Sequence, residues 1–467
     1  MNPKLLKIAA VIGGIILVWL AVLWITNSTK TQEAAYSLEF WNVFDKTDTF
    51  KPLLADFQKQ TGIKVNYRSF TDLAEYRKTL LMELAAGQGP DILAVNNTWI
   101  SGYRSLLAPL PEKDLSYTAK NLQETFVDSV AQGVILKEEV PAADLKLGRV
   151  ASDMIYGIPM YVDTLALYYN KSLMRDVLSK PYAAPELTWT GVRNDVENLA
   201  ATDEKDAEGF RLAGIAMGRS DNIARGLDIF YALYSEFGGE DLSQAAREKG
   251  MNVEGKSAQP LTSALDFYTS FARNADYKYY TWNEKISATA AEKELNAFAR
   301  GKVAMVAGYS YEYETIKSLI SQLTKTGKSA IAAEDLAVSA FPQVLDPKAG
   351  NPKSALANYF ALSVAKNSKY PQSAWQLILF LTGKDSVEAY NKTTHKPSSR
   401  KDLLAAQEKD STYGIFAEQA VYAKALKIPD DEAASAAISA VVNSVADGKT
   451  SFSNAVQTIN KALQAKG

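Results

Sequence analysis

The segment 37–60 places a strand, a polar turn and a helix in direct succession. Residues 37–46 read SLEFWNVFDK, in which Leu38 and Phe40 are typical of a buried strand and Asp45 and Lys46 follow at its end. Residues 49–60 then carry apolar side chains at helical spacing. This order predicts an α/β sheet, and ligands in such sheets bind beyond the carboxyl ends of the strands. Asp45 and Lys46 therefore either solvate a turn or contact a ligand.

Size and composition narrow the class of protein. The chain has 467 residues, more than one ordinary hydrophobic core supports, so two domains are expected. Its net charge of −2 argues against a nucleic-acid partner, which would require a basic face. There is no cysteine and His395 is the single histidine, which excludes disulfides, thiolate metal sites and histidine-rich metal sites. No metal and no cofactor are expected, whereas carboxylate chemistry remains possible.

The amino terminus contains an uninterrupted apolar run, Ile8–Ile25, with Lys4 and Lys7 before it. A helix of this length spans about 27 Å, close to the hydrocarbon core of a bilayer. The positive-inside rule then predicts a cytoplasmic segment 1–7, a transmembrane anchor 8–25 and a polar tether 26–36. The alternative is a cleaved secretion signal. Either interpretation exports the body of the protein.

Several motifs along the exported body share their order with one family. The chain has FW-x3-DK at 40–46, TGIKV at 61–65 and LAAGQGPDIL at 84–93, followed by LLAPL at 106–110. Later motifs are IYGIPMYVDTLALYYNK at 155–171, LTW at 187–189, AFARGKVAM at 297–305 and the strand and helix of 359–382. Together they resemble the family 1 extracellular solute-binding proteins of ABC importers, over residues 37 to 463.

This resemblance implies an α/β, two-lobed periplasmic-binding-protein-like fold of type II, preceded by the predicted transmembrane helix. The first lobe is expected at 37–160 plus 355–396, and the second at 166–342 plus 400–467. The chain would cross between the lobes near 159–165, in the proline- and glycine-bearing stretch 342–358, and near 396–400. Closure of the lobes about these crossings would trap the ligand.

The ligand site is expected at the strand ends that face the cleft. The strand ends and the family's motifs together give these candidates: Trp41, Asp45, Lys46, Asn96, Asn97, Trp99, Tyr161, Asp163, Arg219, Asp221, Asn222, Trp282, Tyr309, Tyr311, Asn358 and Tyr359. Amides, carboxylates and an ammonium group suit the recognition of hydroxyls, and aromatic rings suit the apolar faces of sugars. Three of these residues have alternative roles: Trp99 could pack under a helix, Asp163 could cap the next element and Arg219 could pair with Asp221. Trp282 could cover the cleft or roof the second lobe.

The resemblance also implies the partners. These are a small solute, expected to be a sugar or oligosaccharide, and the permease subunits of an ABC importer, with the protein acting as a membrane-anchored monomer. One difference concerns the substrate. The stretch 429–437, where maltose-binding members carry aromatic groups, is small and acidic here, so maltose itself is not favoured.

Two further functions remain open from the sequence. A surface carbohydrate hydrolase could use paired carboxylates such as Asp45 and Asp163. A ligand sensor or scaffold would carry the same two lobes without transport.

Overall fold

The computed structural model describes residues 36–141, 149–180, 183–201, 212–245, 248, 252–253, 256–257, 259–273, 278–286, 293–428 and 431–464. The predicted cytoplasmic segment, anchor and most of the tether, residues 1–35, lie outside the described residues. Among the residues that are described, no helix is both long enough and apolar enough to cross a membrane.

The first lobe is built on a mixed six-stranded sheet. Its strand order is Lys64–Phe70, Ser37–Val43, Ile92–Asn96, Phe360–Ala365 and Leu107–Ala108, with Ile158–Pro159 also paired to Phe360–Ala365. The first three strands are parallel, and Phe360–Ala365 runs antiparallel to Ile92–Asn96. Because these two strands run in opposite directions, the start of Phe360–Ala365 and the end of Ile92–Asn96 lie at the same edge of the sheet.

The second lobe contains a four-stranded sheet in the order Leu336–Ala340, Ala166–Asn170, Val303–Gly308 and Ala213–Ile215. Val303–Gly308 is parallel to Ala213–Ile215 and antiparallel to Ala166–Asn170. The carboxyl ends of Val303–Gly308 and Ala213–Ile215 and the amino end of Ala166–Asn170 therefore lie at the same edge of this sheet.

Helices cover both sheets. In the first part of the chain they are Thr47–Thr61, Leu73–Ala85, Ile100–Tyr103, Glu112–Leu115, Ala119–Thr125, Asp128–Val134, Trp189–Ala201, Gly226–Glu236 and Pro260–Thr269. The later helices are Glu294–Ala299, Glu312–Lys325, Pro371–Leu381, Lys384–Thr394, Lys401–Gln407, Gly414–Tyr422, Asp431–Ala446 and Phe452–Gln464. Smaller paired strands are Ile135–Pro141 with Arg149–Ile155, Asn252–Val253 with Lys256–Ser257, and Ala355–Leu356 with Ala423–Lys424.

Local sequence explains where the first helices end and begin. Gly62 adopts φ 76° and its N–H bonds the carbonyl of Gln58 at 2.8 Å, which ends the helix Thr47–Thr61 as the sequence predicts. The next helix begins after Asp72, whose carboxylate accepts a hydrogen bond from the Glu75 N–H at 2.7 Å. The pattern of strand, turn and helix read from the sequence is present here.

The crossing segments lie side by side between the lobes. The N–H of Asp163 donates to the carbonyl of Asn358 and the N–H of Asn358 donates back to that of Asp163, each at 2.9 Å. Tyr161 and Ser398 form another antiparallel bridge, beside which the N–H of Val162 donates to the carbonyl of Pro397 at 3.1 Å. These contacts join the three segments that the sequence predicts as crossings.

The division into lobes differs from the prediction after residue 400. Leu403 and Leu404, on the helix Lys401–Gln407, pack into the hydrophobic core of the first lobe. Leu426 and Ile428 belong to the core of the second lobe. Between them, Phe416 packs into the core of the second lobe, whereas Ala420 packs into that of the first. The stretch 401–425 therefore contacts both lobes, and it does not belong to the second lobe alone.

Candidate functional site

A cavity of about 1010 Å³ lies between the lobes and is lined by residues from both. Its walls are the shared strand edges described above, and its floor includes the crossing segments. The predicted site residues that line it are Asp45, Lys46, Asn96, Asn97, Trp99, Tyr161, Asp163, Tyr309, Tyr311 and Asn358. Ligand sites in proteins are typically clefts of roughly 300–1,000 Å³, so this cavity lies at the upper end of the sizes found for small-molecule sites.

Asp45 is fixed by a buried ion pair. Its Oδ1 lies 2.7 Å from the Nζ of Lys396, and its Oδ2 accepts a hydrogen bond from the Tyr390 hydroxyl at 2.8 Å. Asp45 is 9% exposed and Lys396 is 7% exposed. The Nζ of Lys396 also lies 4.2 Å from the ring centroid of Tyr161, a cation–π distance. Lys396 thus joins the last crossing segment to the turn after the first strand.

Lys46, the neighbour of Asp45, points outward. It is exposed and makes no ion pair with any side chain in the described ranges. Its ammonium group is therefore available as a hydrogen-bond donor at the cavity.

Three asparagines meet where the strands Ile92–Asn96 and Phe360–Ala365 share an edge. The Nδ2 of Asn96 donates to the Oδ1 of Asn358 at 3.0 Å, and the Oδ1 of Asn96 accepts from the Thr98 hydroxyl at 2.8 Å. The amide of Asn97 bonds backbone groups of Ala357 and Tyr359. The Nδ2 of Asn358 bonds no acceptor among the described residues, which leaves it free to donate to a ligand.

The first-lobe wall is aromatic. Trp99 is 5% exposed and its ring lies 5.8 Å from that of Phe360 in an edge-to-face arrangement. The guanidinium of Arg77 covers the Trp99 ring at 4.7 Å. Trp99 is therefore both a core residue and part of the cavity wall, which combines the two roles that the sequence left open.

On the second-lobe side, Tyr309 and Tyr311 stack at 6.0 Å between centroids. Tyr309 is 1% exposed, whereas Tyr311 is 42% exposed. Directly after them, buried Glu312 accepts a hydrogen bond from the Tyr309 N–H at 2.8 Å. Gly308 makes this turn possible, because a Cβ there would lie 2.2 Å from the Glu312 Oε2.

Arg225 holds a second charge cluster in the cavity. Its Nε lies 3.1 Å from the Glu312 Oε1 and its Nη1 lies 3.3 Å from the Asp228 Oδ2. Burial raises the pKa of the Glu312 carboxyl to about 7, while the nearby Arg225 charge opposes that rise. The sequence analysis did not select Arg225 or Asp228, although both follow the strand Ala213–Ile215.

Asp163 ties the first crossing to the second lobe. Its Oδ2 accepts from the Ser310 hydroxyl at 2.6 Å and its Oδ1 accepts from the Thr164 N–H at 2.9 Å. It is 2% exposed, and this burial raises the pKa of the carboxyl to about 6, although the hydrogen bonds from Ser310 and Thr164 and the charge of Lys396 oppose the shift. Asp163 therefore acts as a structural link at the hinge as well as a lining residue.

Asp163 gives the protein a predictable pH dependence. The native carboxyl takes up its proton near pH 6, whereas an unfolded aspartate does so near pH 3.9, so the native state binds more protons between these values. The stabilising contribution is complete below about pH 4 and is lost as the pH rises through 6, a total of about 3 kcal/mol for a shift of about two pKa units. Urea unfolding from pH 4 to pH 7 should show the wild type losing about this much stability relative to Asp163→Asn. A stability difference that stays constant with pH would contradict this account.

Other predicted site residues lie outside the cavity lining. They are Trp41, Arg219, Asp221, Asn222, Trp282 and Tyr359. Trp41 lies within its strand rather than beyond it, under the guanidinium of Arg68 at 4.6 Å. Tyr359 is fully buried and its hydroxyl donates to the Ser129 carbonyl at 3.0 Å, since alternate residues of a strand point to opposite faces and Asn358 takes the cavity side.

The remaining four belong to the interior and far side of the second lobe. Arg219 donates hydrogen bonds to the carboxylates of Asp221 and Asp447, the latter at 2.7 Å. Its contacts are those of the structural pair with Asp221 that the sequence left open as an alternative. Trp282 is fully buried and its Nε1 donates to the Asn222 Oδ1 at 2.9 Å. The loop after Ala213–Ile215 first turns towards the C-terminal helices and reaches the cavity only at Ala224 and Arg225.

The cavity also contains residues that sequence reasoning missed. They include Phe44, Arg225, Asp228, His395, Lys396 and Tyr413. The rings of His395 and Tyr413 stack at 4.6 Å with an interplanar angle of 9°. Lys396 lies in the crossing predicted near 396–400. Because the crossings were expected to border the cleft, a lysine in this segment could have been predicted as a lining residue.

The carboxylates of Asp45 and Asp163 are held in place by protein groups. Both oxygens of Asp45 and both oxygens of Asp163 already accept hydrogen bonds from protein groups. Within the described ranges, no group of three or more histidine, aspartate or glutamate side chains could hold a metal ion.

Comparison with known proteins identifies the family. A sequence model of the family described as bacterial extracellular solute-binding protein matches residues 44–388. The galactooligosaccharide-binding protein of Bacillus subtilis (strain 168) is 21% identical over 456 residues, which cover 94% of this chain and 93% of that protein.

Solved structures share the fold. The sugar-binding protein MalE of Xanthomonas citri superposes with a TM-score of 0.67 at 19% identity, over 92% of this chain and 98% of that one. The maltose-binding periplasmic protein MalE of Listeria monocytogenes, in complex with maltose, gives a TM-score of 0.65 at 17% identity, over 92% and 99% of the two chains. The two-lobed periplasmic-binding-protein-like fold is thus common to all three.

The family match covers most of the chain and agrees with the cleft between two α/β lobes. The chain belongs to the bacterial extracellular solute-binding proteins, the family whose members capture a solute outside the cytoplasm and deliver it to the permease of an ABC importer.

Proposed function

We propose that the solute is a neutral sugar, in particular an oligosaccharide, held in the interlobe cavity. The observation that supports this most is the lining itself, which combines aromatic rings with amide, hydroxyl, carboxylate and ammonium groups around a volume of about 1010 Å³. Rings pack against the apolar faces of sugars, and the polar groups supply donors and acceptors for hydroxyls. The galactooligosaccharide-binding relative and the maltose complex agree with this substrate class.

The charges in the cavity support a neutral ligand. Asp45 is paired with Lys396, Arg225 is paired with Asp228 and Glu312, and Glu314 is paired with Lys317. A charged solute bound next to these groups would have to break one of the pairs, at a cost that neutral hydroxyls avoid. Lys46 and Asp48 also line the cavity, without an ion pair to any described side chain.

We further propose that Asp45, Lys46, Asn96, Asn97, Trp99, Tyr161, Asp163, Tyr309, Tyr311 and Asn358 form the ligand site. Maltose itself remains disfavoured, because the described residues of the region 423–446 that reach the cavity are Leu426, Ile428 and Ser435, none of them aromatic. Any aromatic platform must come from other lining rings, such as those of Tyr311 and Tyr413.

A thermal-shift screen tests the substrate class. Full-length protein is heated with tagatose, maltose, maltotetraose, a galactotriose or cycloalternan, and with amino acids and spermidine as controls. A ligand at a hundred times its dissociation constant adds about 2.7 kcal/mol of stability. We expect a clear rise in melting temperature with at least one sugar; a rise with amino acids or spermidine alone would contradict the proposal.

The amino-terminal apolar run supports a membrane tether. We propose that Ile8–Ile25 stays attached as a single-pass anchor, with the monomeric body on the extracytoplasmic side. Mass spectrometry of protein extracted from membranes gives the test. An intact amino terminus is expected, and a mature chain that begins after residue 25 would indicate a cleaved signal.

A further inference from the structure

Phe44 has an unusual position in the cavity. It lies between Val43, which is 2% exposed, and Asp45, which is 9% exposed, yet its own side chain is 51% exposed and lines the cavity. A large apolar ring that stays open to solvent between two buried neighbours is not explained by the core of the lobe.

The backbone at Phe44 is strained. Its φ is 68°, in the left-handed region that favours glycine and is a genuine outlier for a bulky side chain. The N–H of Phe44 donates to the carbonyl of Phe70 at 2.7 Å, which fixes this turn. Such strain persists where the surrounding structure enforces it, and it is concentrated at ligand sites.

The ring is supported on the first-lobe side. Its centroid lies 6.0 Å from that of Phe360 at an interplanar angle of 78°, and Phe360 in turn contacts Trp99 edge to face. Phe44 is therefore the exposed outer member of a three-ring cluster, while Phe360 and Trp99 are nearly buried.

We propose that Phe44 is a specificity-determining residue whose ring stacks on the apolar face of a pyranose unit of the ligand. The left-handed turn directs the ring into the cavity, and Phe360 holds it there. Tyr311, the exposed aromatic residue on the second-lobe side, offers the corresponding ring. This inference rests on the proposed sugar-binding function and names the aromatic platform that the C-terminal region does not supply.

Three substitutions of Phe44 separate a ligand contact from a structural role. Phe44→Gly removes the ring and the strain, Phe44→Ala removes the ring and keeps most of the strain, and Phe44→Tyr keeps both. Tyr370→Ala, an aromatic residue that is 36% exposed and outside the cavity lining, is the matched control. Each full-length variant is titrated calorimetrically with the sugars of the screening panel, and its melting temperature is measured without sugar.

We expect Phe44→Gly and Phe44→Ala to bind sugar about tenfold more weakly, a loss in the range of one aromatic contact. Tyr370→Ala should bind like the wild type, and Phe44→Tyr, which keeps the ring, should bind sugar more tightly than Phe44→Ala. Without sugar, Phe44→Gly should melt about 1–2 °C above Phe44→Ala, because glycine accepts the left-handed backbone.

Wild-type affinity in Phe44→Gly and Phe44→Ala would overturn this inference and leave the sugar-binding function intact; an uptake defect alongside that affinity would indicate a permease contact instead. A lower melting temperature of Phe44→Ala with unchanged affinity would likewise assign the ring a structural role. Failure of every sugar to bind the wild type would overturn the proposed function and the inference with it.

Discussion

Replacing Lys396 with methionine is expected to lower the free energy of unfolding by about 3–5 kcal/mol, the usual cost of removing one partner of a buried ion pair. The substitution removes the ammonium group 2.7 Å from the Asp45 Oδ1 and leaves a carboxylate that is 9% exposed. Sugar affinity should fall about tenfold as well, since Asp45 is then no longer held at the cavity wall. Urea unfolding and calorimetric titration measure the two effects.

The double variant Lys396→Met with Asp45→Asn provides the control. Removing both charges should recover much of the lost stability, because no buried carboxylate remains unpaired. Affinity should not recover, since the carboxylate is absent. A single Lys396→Met variant within 1 kcal/mol of the wild type would show that the pair does not organise this part of the cleft.

Arg225→Met should produce the second large effect, on the opposite lobe. Arg225 compensates Glu312, which is 3% exposed, and also pairs with Asp228. Without the guanidinium, we expect a loss of about 3 kcal/mol at pH 8, where Glu312 must either remain charged without a partner or hold its proton against the solution pH. The loss should be smaller at pH 6, since burial already raises the pKa of Glu312 to about 7 and the neutral acid needs no partner.

Unfolding of Arg225→Met at both pH values, alongside Arg225→Met with Glu312→Gln, measures this dependence. The double variant should be nearly independent of pH between 6 and 8 relative to Glu312→Gln alone. Equal losses at pH 6 and pH 8 in the single variant would mean that Glu312 is not the group that Arg225 neutralises.

The sequence predicted the edges of the sheets better than the directions of the loops that leave them. Apolar runs predict where the strands end and so place Asp45, Asn96 and Tyr309 at or just beyond strand ends, and all three line the cavity. It does not encode whether the loop after Ala213–Ile215 turns to the cleft at once, and Arg219 instead meets Asp447 on a distant helix.

The exposure of Phe44 and the pairing of Asp45 with Lys396 could not be predicted from the sequence pattern, for different physical reasons. An apolar residue after a strand predicts core packing, so only the left-handed turn reveals that Phe44 is exposed. The contact of Asp45 with Lys396 joins residues more than three hundred positions apart, and no local periodicity reports such a pair. Trp282, in contrast, is fully buried because the Asn222 side chain satisfies its indole N–H.

Calorimetric titration of wild type, Lys46→Met and Tyr311→Ala, with the panel sugar that stabilises the protein most, tests the central claim that a sugar is held between the lobes. Lys46 and Tyr311 line the cavity from opposite lobes and are exposed, so both variants should fold. Lys51→Met and Tyr370→Ala, outside the cavity lining, are the controls. The account predicts saturable binding to the wild type, about tenfold weaker binding in each cavity variant, and nearly additive losses in free energy when the two are combined. Absence of binding to the wild type, or unchanged affinity when either lobe is altered, would contradict it.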